Sequence, residues 1–268
     1  MLVSEVIGAL EQSLGEPEHG KYEGVISGDV SIRLTGIATC AQPSMAVLKQ
    51  CVAKNCNLII VDGHPFYTYS PDWGAKNVRE IVDASEVGKA KAAYIAKHQL
   101  VIVRFTSAFA QRFPAVAAEA LAMACGFDEL TVSDSKPFVV TKVSKQSFDS
   151  LARVVAVNTK TTGIRLIAKP ELTVSKVAIG TGMLSPADIA GMLSDPDVDA
   201  VIGGEVVEWE GGPYFEDVIG SGRKAGLMLL GFASSREPMA DSLASWVAEV
   251  VADASVTTVH DIDPIHAV

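Results

Sequence analysis

The sequence predicts an α/β protein made of two interlocked lobes with mixed sheets. Three observations support this fold class: β-branched apolar runs alternate with helix-like stretches, the rhythm begins again in the second half, and no Pro- or Ser-rich linker separates the halves. We expect a single domain in which residues 1–125 and 226–268 form one lobe and residues 126–225 form the other.

The composition indicates a folded protein with a large core, because 49% of its 268 residues are hydrophobic and 20% are charged. The net charge is −10 and no Lys/Arg cluster occurs, which disfavours binding to nucleic acid. Every apolar run is shorter than the roughly 20 residues that a membrane-spanning helix needs, so no membrane partner is expected. The first residues lack the basic n-region of a signal peptide, and the four cysteines form no C-x-x-C pair. Both observations favour a cytoplasmic location with reduced thiols.

The elements of the first half follow from apolar periodicity and turn residues. An amphipathic helix begins the chain, with Val3, Val6, Ile7 and Leu10 on one side. The first half then continues as strand 30–40, helix 43–55, strand 57–61, a helix or helix pair over 78–99, strand 99–109 and helix 114–126.

The second half repeats this alternation. A helix is predicted to begin at Ser185, because Ser185 is a suitable N-cap and Pro186 suits the first helical position. In chain order we expect strand 138–143, helix 148–158, strands 163–170 and 176–182, helix 185–194, strands 199–205 and 226–235, helix 237–253 and strand 256–263.

The stretch LIIVDGHP is an apolar strand that ends abruptly in polar residues. Ligands of open α/β sheets gather outside the carboxyl ends of the strands, so Asp62 and His64 are candidate binding residues. Two positions apart on an extended chain, they point to the same side, which suits a metal ion. The alternative is structural: Asp62 caps a turn and His64 hydrogen-bonds a neighbouring carbonyl.

A second polar tip follows the strand over 199–205. Glu205 lies directly at its end, and Glu208 and Glu210 follow in a stretch, 203–212, that is predicted as an acidic, glycine-rich loop. Such a loop can bind a cation with Glu205 as the best ligand, although most loops of this kind are solvated surface.

The segment KVAIGTG (176–182) places a G-x-G before a predicted helix. The third glycine of a dinucleotide fingerprint is absent, so a tight strand-to-helix turn is favoured over a phosphate site. The N–H groups at the start of the helix remain a candidate for holding an anion.

The segment FASSREP supplies Ser234, Ser235, Arg236 and Glu237 after another strand. These residues either cap a helix or contact a ligand, and no G-x-S-x-G surrounds them, which disfavours a serine hydrolase. The tail carries further candidate metal ligands, although terminal residues of these types are more often exposed and idle: His260, Asp261, Asp263 and His266.

Taken in order, these segments resemble the Nif-three-like family of dinuclear-metal proteins, whose members often carry the name GTP cyclohydrolase 1 type 2. The resemblance rests on GIATCAQPSMAVLKQCVAKNCNLIIVDGHPFY, SFDSLARVVA, KVAIGTG, DAVIGGE, LMLLGFASSREP and VHDIDP, and covers nearly the whole chain as the family's short form. It implies a Nif-three-like fold and a homohexamer, a toroidal trimer of dimers.

The resemblance also implies that most metal ligands are replaced. The family's His-His-Pro motif reads Gly63-His64-Pro65 here, and the family's Asp falls near Ala110. Phe232 stands at the C-terminal His position, and Arg236 at that of its Glu partner, with Glu237 one residue away. His64 is the one retained metal ligand. Because divalent ions need several ligands at once, a pair of metals is not expected.

Two functions of different classes follow. The leading hypothesis is a family protein of unknown activity with a degenerate metal site, which binds a small anionic ligand or acts as a scaffold and needs no cofactor. The alternative is a metal-dependent hydrolase of nucleotide or phosphate substrates, in which one zinc, iron or manganese ion recruits new ligands. The predicted ligand-binding residues are Asp62, His64, Glu205, Ser235, Arg236 and Glu237.

Overall fold

The computed structural model describes residues 1–17, 22–67, 78–261, 264 and 265. They form two compact units: the first comprises Met1–Arg112 and Ala240–Asp261, and the second Phe113–Met239 with the end of the chain. The helices are α1 (Val3–Ser13), α2 (Met45–Ala53), α3 (Val78–Ala84), α4 (Glu86–Lys97), α5 (Thr106–Arg112), α6 (Val116–Ala124), α7 (Phe148–Thr159), α8 (Pro186–Met192), α9 (Glu208–Gly220), α10 (Phe232–Arg236) and α11 (Met239–Val250).

The strands are distributed over both units. They are β1 (Gly24–Ser27), β2 (Ile37–Cys40), β3 (Leu58–Val61), β4 (Val101–Arg104), β5 (Leu130–Thr131), β6 (Val139–Ser147), β7 (Arg165–Ile167), β8 (Thr173–Ile179), β9 (Met183–Leu184), β10 (Ala200–Gly203), β11 (Glu205–Val206), β12 (Gly226–Leu229) and β13 (Val256–Thr258).

The first unit is built on one sheet with the strand order β1-β4-β3-β2-β13. Strands β2, β3, β4 and β13 run parallel, and β1 pairs antiparallel with β4. The register aligns Cys40 with Val61 and Val61 with Arg104, while Gly24 lies opposite Arg104. The ends of β2, β3 and β4 and the start of β1 therefore meet along one border, which we call the first carboxyl edge.

Both faces of this sheet are covered. Alternate strand residues such as Cys40 and Val61 pack in an apolar cluster with residues of α2 and with Ile95 of α4. The intervening Thr39 donates a hydrogen bond to the carbonyl of Ala240, at the start of α11. Strands buried on both faces read as continuous apolar runs, which explains the sequence LIIV of β3.

The second unit contains a six-stranded mixed sheet in the order β5-β6-β8-β10-β12-β7. Strands β8, β10 and β12 run parallel, and the outer strands are antiparallel to their neighbours. Helices α6 and α7 contribute to the core on one face, and α8 and α9 to the core on the other. We call the border where β8, β10 and β12 end the second carboxyl edge.

The predicted α/β class with mixed sheets is confirmed, and several segments differ from their predictions. The predicted strand over 226–235 ends at Leu229, and α10 begins at Phe232. The strand over 30–40 is confined to β2, and the strand over 99–109 stops at Arg104, where α5 soon begins. The predicted loop over 203–212 is wrong in its second part, because α9 begins at Glu208. Acidic residues in its first turn, Glu208 and Glu210, suit the helix macrodipole, and the glycines concealed this pattern.

The four cysteines are buried in the structure, and none of them forms a disulfide. Burial raises the pKa of Cys51 and Cys125 to about 12, so these thiols stay protonated at neutral pH. Within the described ranges, no helix combines the length and the apolar character that crossing a membrane requires.

Candidate functional sites

The chain beyond β3 keeps its pairing with β2 before it turns away. Asp62 N–H donates to the carbonyl of Cys40 over 3.2 Å, and Gly63 N–H donates to that of Ala41 over 2.7 Å. Asp62 is 4% exposed and His64 is 1% exposed. The predicted polar tip is therefore buried, and its backbone is fixed by the sheet.

Arg104 ties this tip to the neighbouring strands. Its Nε donates to the carbonyl of Asp62 over 2.6 Å, and its Nη1 donates to Oε1 of Glu23 over 2.8 Å. The same Oε1 accepts from the Ser107 hydroxyl over 2.9 Å. Burial raises the pKa of Glu23, and the Arg104 guanidinium acts in the opposite direction. The other carboxylate oxygen, Oε2, is buried and has no hydrogen-bond partner in the described part of the chain.

His64 is oriented by its own loop. Its Nδ1 accepts a hydrogen bond of 3.1 Å from the backbone N–H of Phe66, and its ring meets that of Tyr22 edge-on. A ring nitrogen that accepts cannot carry the proton, so the neutral imidazole is protonated at Nε2. The Nδ1 atom of His64 is thus engaged within its own loop, and His64 as a metal ligand stays a prediction.

The first position of the family's His-His motif has no room for a side chain. A Cβ atom added at Gly63 would overlap the side-chain amide of Gln42, whose Nε2 lies 2.6 Å from that position. The space that a histidine would use is thus filled by a different polar group.

Lys91 is a further candidate at the first carboxyl edge, and the sequence analysis missed it. Its side chain is 1% exposed, and its Nζ lies 4.8 Å from the centroid of the Tyr67 ring. Desolvation by burial lowers its pKa from 10.5 to about 8, and the Cys40 thiol at the end of β2 acts weakly in the opposite direction. Among the described residues, no carboxylate pairs with this ammonium.

A sequence signal for Lys91 existed. On α4 it is spaced from Gly88 and Ile95 as one helical face, and all three residues are buried. Tyr67, which supports the ammonium, has a φ of 59°, a left-handed conformation that is strained for an aromatic residue. Such strain occurs preferentially at functional sites.

At the second carboxyl edge, Ser235 holds a glycine turn together. Its Oγ accepts from the N–H of Gly182 over 2.9 Å and donates to the carbonyl of Phe232 over 2.9 Å. Gly204 N–H and Glu205 N–H both donate to the carbonyl of Gly182. Ser235 is 1% exposed, and these bonds give it a structural role in which its hydroxyl is already used.

Arg236 extends over the same turn. Its Nη1 donates to the Thr181 hydroxyl over 3.1 Å, and its Nη2 lies 3.1 Å from the sulfur of Met239. The turn therefore brings together three of the predicted residues, Glu205, Ser235 and Arg236. Glu237 is half-buried at the C-cap of α10.

The helix start at Ser185 is closed by its own residues. The Ser185 hydroxyl accepts from the N–H of Asp188, and the Asp188 carboxylate accepts from the N–H of Ser185 over 2.8 Å. The glycine turn at residues 180–182 leads into the short strand β9, and α8 begins after it. The capping box uses the N–H of Asp188, one of the amides that had been considered for an anion.

The other predicted ligands are scattered. Glu208 pairs with Arg165 on the surface, and His260 lies 3.5 Å from the Asp241 carboxylate. Asp263 and His266 fall outside the described residues. Within the described ranges, no group of three or more His, Cys, Asp or Glu side chains is arranged to hold a metal ion.

Besides His64, the resemblance assigns four positions of this chain to the family's metal ligands, and the residues there are not acidic or imidazole groups. Ala110 is an exposed methyl group on α5, and Phe232 and Arg236 are a hydrophobic and a cationic side chain on α10. Gly63 and Gln42 fill the first histidine position, as described above. A fixed guanidinium repels a metal cation, so these replacements work against binding a metal ion.

Comparison with known proteins identifies the family. Residues 1–212 match the family described as Duf34/NIF3 (NGG1p interacting factor 3). No curated protein matches the sequence.

Several solved structures share the fold. Protein SA1388 of Staphylococcus aureus has a TM-score of 0.76 at 12% identity, covering 100% of this chain and 99% of that one. A Bacillus cereus protein related to NIF3 has a TM-score of 0.73 at 12% identity, with coverages of 100% and 99%. Protein ybgI, of unknown function, has a TM-score of 0.71 at 18% identity, with coverages of 99% and 100%.

Proposed function

The chain belongs to the Duf34/NIF3 family, and we propose that it binds a small anionic molecule at its first carboxyl edge without a dinuclear metal centre. The site is formed by Lys91 together with the tip that carries Asp62 and His64. In the second unit, Arg236 and Glu237 remain predicted ligand contacts, with Glu205 and Ser235 as the frame of the turn beneath them.

The observation that carries this proposal is the buried ammonium of Lys91. A lysine that is 1% exposed would ordinarily be paired with a carboxylate, because removing a lone ammonium from water costs several kcal/mol. Within the described residues, its neighbours are an aromatic face and a thiol. An anionic ligand would supply the missing countercharge at the edge where ligands of parallel sheets bind.

Arg104 belongs to the same edge as Lys91. Its guanidinium is paired with Glu23 and bound to the Asp62 carbonyl, so the ammonium of Lys91 is the group that we expect to attract the anion.

A thermal-shift titration of the untagged full chain with glycolate, a small carboxylate, tests the proposal. We expect glycolate at millimolar concentration to raise Tm, because a ligand that binds only the folded state stabilises it. The same shift is expected in the presence of a chelator. Glycolamide, which is similar in size and uncharged, serves as the control ligand.

Two variants separate the site from non-specific effects of salt. Lys91→Met removes the charge at similar volume and is expected to abolish the glycolate shift, whereas Lys89→Met, at an exposed position of the same helix, should retain it. A glycolate shift that needs a metal ion would instead favour the hydrolase alternative. No shift with glycolate or inorganic phosphate would favour the scaffold.

The assembly and the location are also proposals. The family resemblance implies a homohexamer built as a toroidal trimer of dimers, and a cytoplasmic location stays a prediction from the sequence. Large apolar side chains at the surface, such as Trp209 at 80% and Val157 at 76% exposure, are compatible with contacts between subunits. Light scattering of the untagged protein measures the mass directly, and a monomer would contradict the hexamer.

A further inference from the structure

The ammonium of Lys91 differs from an ordinary anion-binding group in the way it is held. Its Nζ lies over the Tyr67 ring, and no hydrogen-bond acceptor of the described residues fixes its three protons. For a permanent charge, arginine would be the better residue, because its guanidinium keeps its proton on burial. Lysine alone among the basic residues becomes a neutral amine nucleophile under such conditions.

The surroundings stabilise the amine form. Desolvation by burial lowers the pKa of Lys91 to about 8, so roughly one molecule in ten carries the free amine at neutral pH. Among the described residues, the titratable side chains that act on Lys91 or contact it are the Cys40 thiol and the Tyr67 phenol, and no carboxylate is among them.

The position of Lys91 also suits a reaction. The Cys40 thiol that acts on it belongs to the last residue of β2, so the amine lies at the first carboxyl edge and not within the sheet. Tyr67 is 51% exposed, so the ring that covers the amine reaches solvent, whereas Lys91 itself is 1% exposed. The left-handed backbone of Tyr67 holds the ring in that place at a cost in strain.

We propose that Lys91 is a Schiff-base lysine, whose amine condenses with the carbonyl group of a small anionic aldehyde or oxo acid. This inference rests on the proposed function, since it names the chemical class of the anionic molecule. The ammonium first loses its proton to water, and the nitrogen lone pair then forms a bond to the carbonyl carbon. The carbon–oxygen bond of the resulting carbinolamine breaks, water leaves, and an imine remains.

The experiment uses the untagged full chain, glyoxylate as the probe and cyanoborohydride as the trapping reductant. Hydride transfer to the imine carbon leaves a carboxymethyl group on the lysine nitrogen, which peptide mass mapping assigns to a residue. We expect labelling of Lys91 to exceed that of exposed Lys89 by at least about tenfold at neutral pH, because the lowered pKa of Lys91 increases its share of free amine. This comparison within one protein does not depend on whether any variant folds.

Glycolate has the same charge as glyoxylate but no carbonyl group, so it separates binding from reaction. We expect glyoxylate to label Lys91 selectively, and we expect added glycolate to reduce this labelling. A glycolate thermal shift without a Lys91 adduct overturns the imine step and leaves the proposed function standing. Selective labelling without any effect of glycolate keeps the reactive lysine and overturns the anionic site.

The variant Lys91→Arg provides a second readout. It keeps a cation and is expected to keep glycolate binding, but it cannot form the imine and should give no adduct at position 91. Raising the pH from neutral towards 9 should increase the Lys91 adduct until the amine is fully deprotonated. Equal labelling of Lys91 and Lys89 across this range would overturn the proposal.

Discussion

The two carboxyl edges of this protein carry different kinds of groups. At the first edge, parallel strands carry the buried Arg104 and Asp62, and α4 adds the buried Lys91. At the second edge, parallel strands are followed by glycines whose amides and carbonyls bond to one another and to Ser235. The same arrangement of strands therefore carries buried ionisable groups in one unit and a closed structural turn in the other.

This difference teaches that a strand tip is only a potential site. The glycine tips of KVAIGTG and DAVIGGE look like ligand loops in sequence, yet their polar atoms are largely used internally. Elsewhere along the first carboxyl edge, Lys91 has no carboxylate partner and the Oε2 atom of Glu23 has no hydrogen-bond partner within the described residues. A buried ionisable group without a partner is therefore a better indicator of a functional site than a polar strand tip is.

The largest expected effect is at the second edge. A Cβ atom at Gly204 would lie 2.5 Å from the carbonyl oxygen of Gly182 and 3.0 Å from that of Gly231, both of which are backbone atoms that cannot rotate away. Gly204→Ala is expected to lower the free energy of unfolding by about 3 kcal/mol. Urea denaturation measures this loss.

Gly212→Ala is the matched control for that substitution. Gly212 lies in α9, and a Cβ atom there meets nothing within 4 Å, so alanine should be neutral or slightly stabilising. Equal losses for the two variants would refute the closed turn as the reason for the glycine.

The second prediction concerns the stability that is lost by burying the ammonium of Lys91 at the first carboxyl edge. The pKa of Lys91 falls from 10.5 to about 8 on folding, so between these values the unfolded chain holds a proton that the folded chain has released. The Lys91 contribution to stability therefore rises with pH through this window, whereas below pH 8 its penalty is fully present.

Lys91→Met removes this titration. We expect the variant to be about 2 kcal/mol more stable than the wild type at pH 7, with the difference shrinking as pH approaches 10. Comparing urea denaturation of the two proteins at several pH values cancels the titration of the cysteines. A difference that stays constant with pH would show that Lys91 keeps an ordinary pKa.

A third prediction tests Ser235 as a structural residue. Ser235→Ala leaves the N–H of Gly182 without its acceptor and should cost about 1.5 kcal/mol of stability. Ser194→Ala removes an exposed hydroxyl that bonds the carbonyl of Gly191, and should cost less than about 0.5 kcal/mol. If Ser235→Ala left stability unchanged, Ser235 would not be the residue that holds this turn together.

The smallest effect is expected at the lost histidine position. Gly63→His would displace the Gln42 side chain, and because that side chain can rotate the cost should be about 1 kcal/mol. The double variant with Gln42→Ala should recover part of this loss, since the space is then open. Denaturation of the single and double variants measures the coupling, and the absence of coupling would show that Gln42 does not fill the space.

Much of the fold follows from sequence because its signals are local. Apolar runs such as LIIV predict the buried parallel strands, and the capping residues at Ser185 predict the helix that begins there. Helix α9 was not predicted from the sequence, because glycines and Pro213 lie within it and its first turn has the composition of a solvated loop. Burial against the sheet overrides such weak local preferences.

The candidate site was less predictable, because it depends on contacts distant in sequence. The loss of metal ligands was visible at Gly63, but the amide of Gln42 that fills the space becomes visible only in three dimensions. Lys91 looked like one of several lysines on a surface helix, and its burial depends on the sheet beneath α4. The partners of Ser235 are likewise set by the turn at Gly182, over fifty residues away.

Elemental analysis of the untagged protein as purified tests the central claim most directly, namely that this site works without metal ions. The account predicts zinc, iron and manganese far below one ion per chain, with the glycolate shift present in the same metal-free sample. About one or two ions per chain, lost together with that shift on treatment with a chelator, would contradict it.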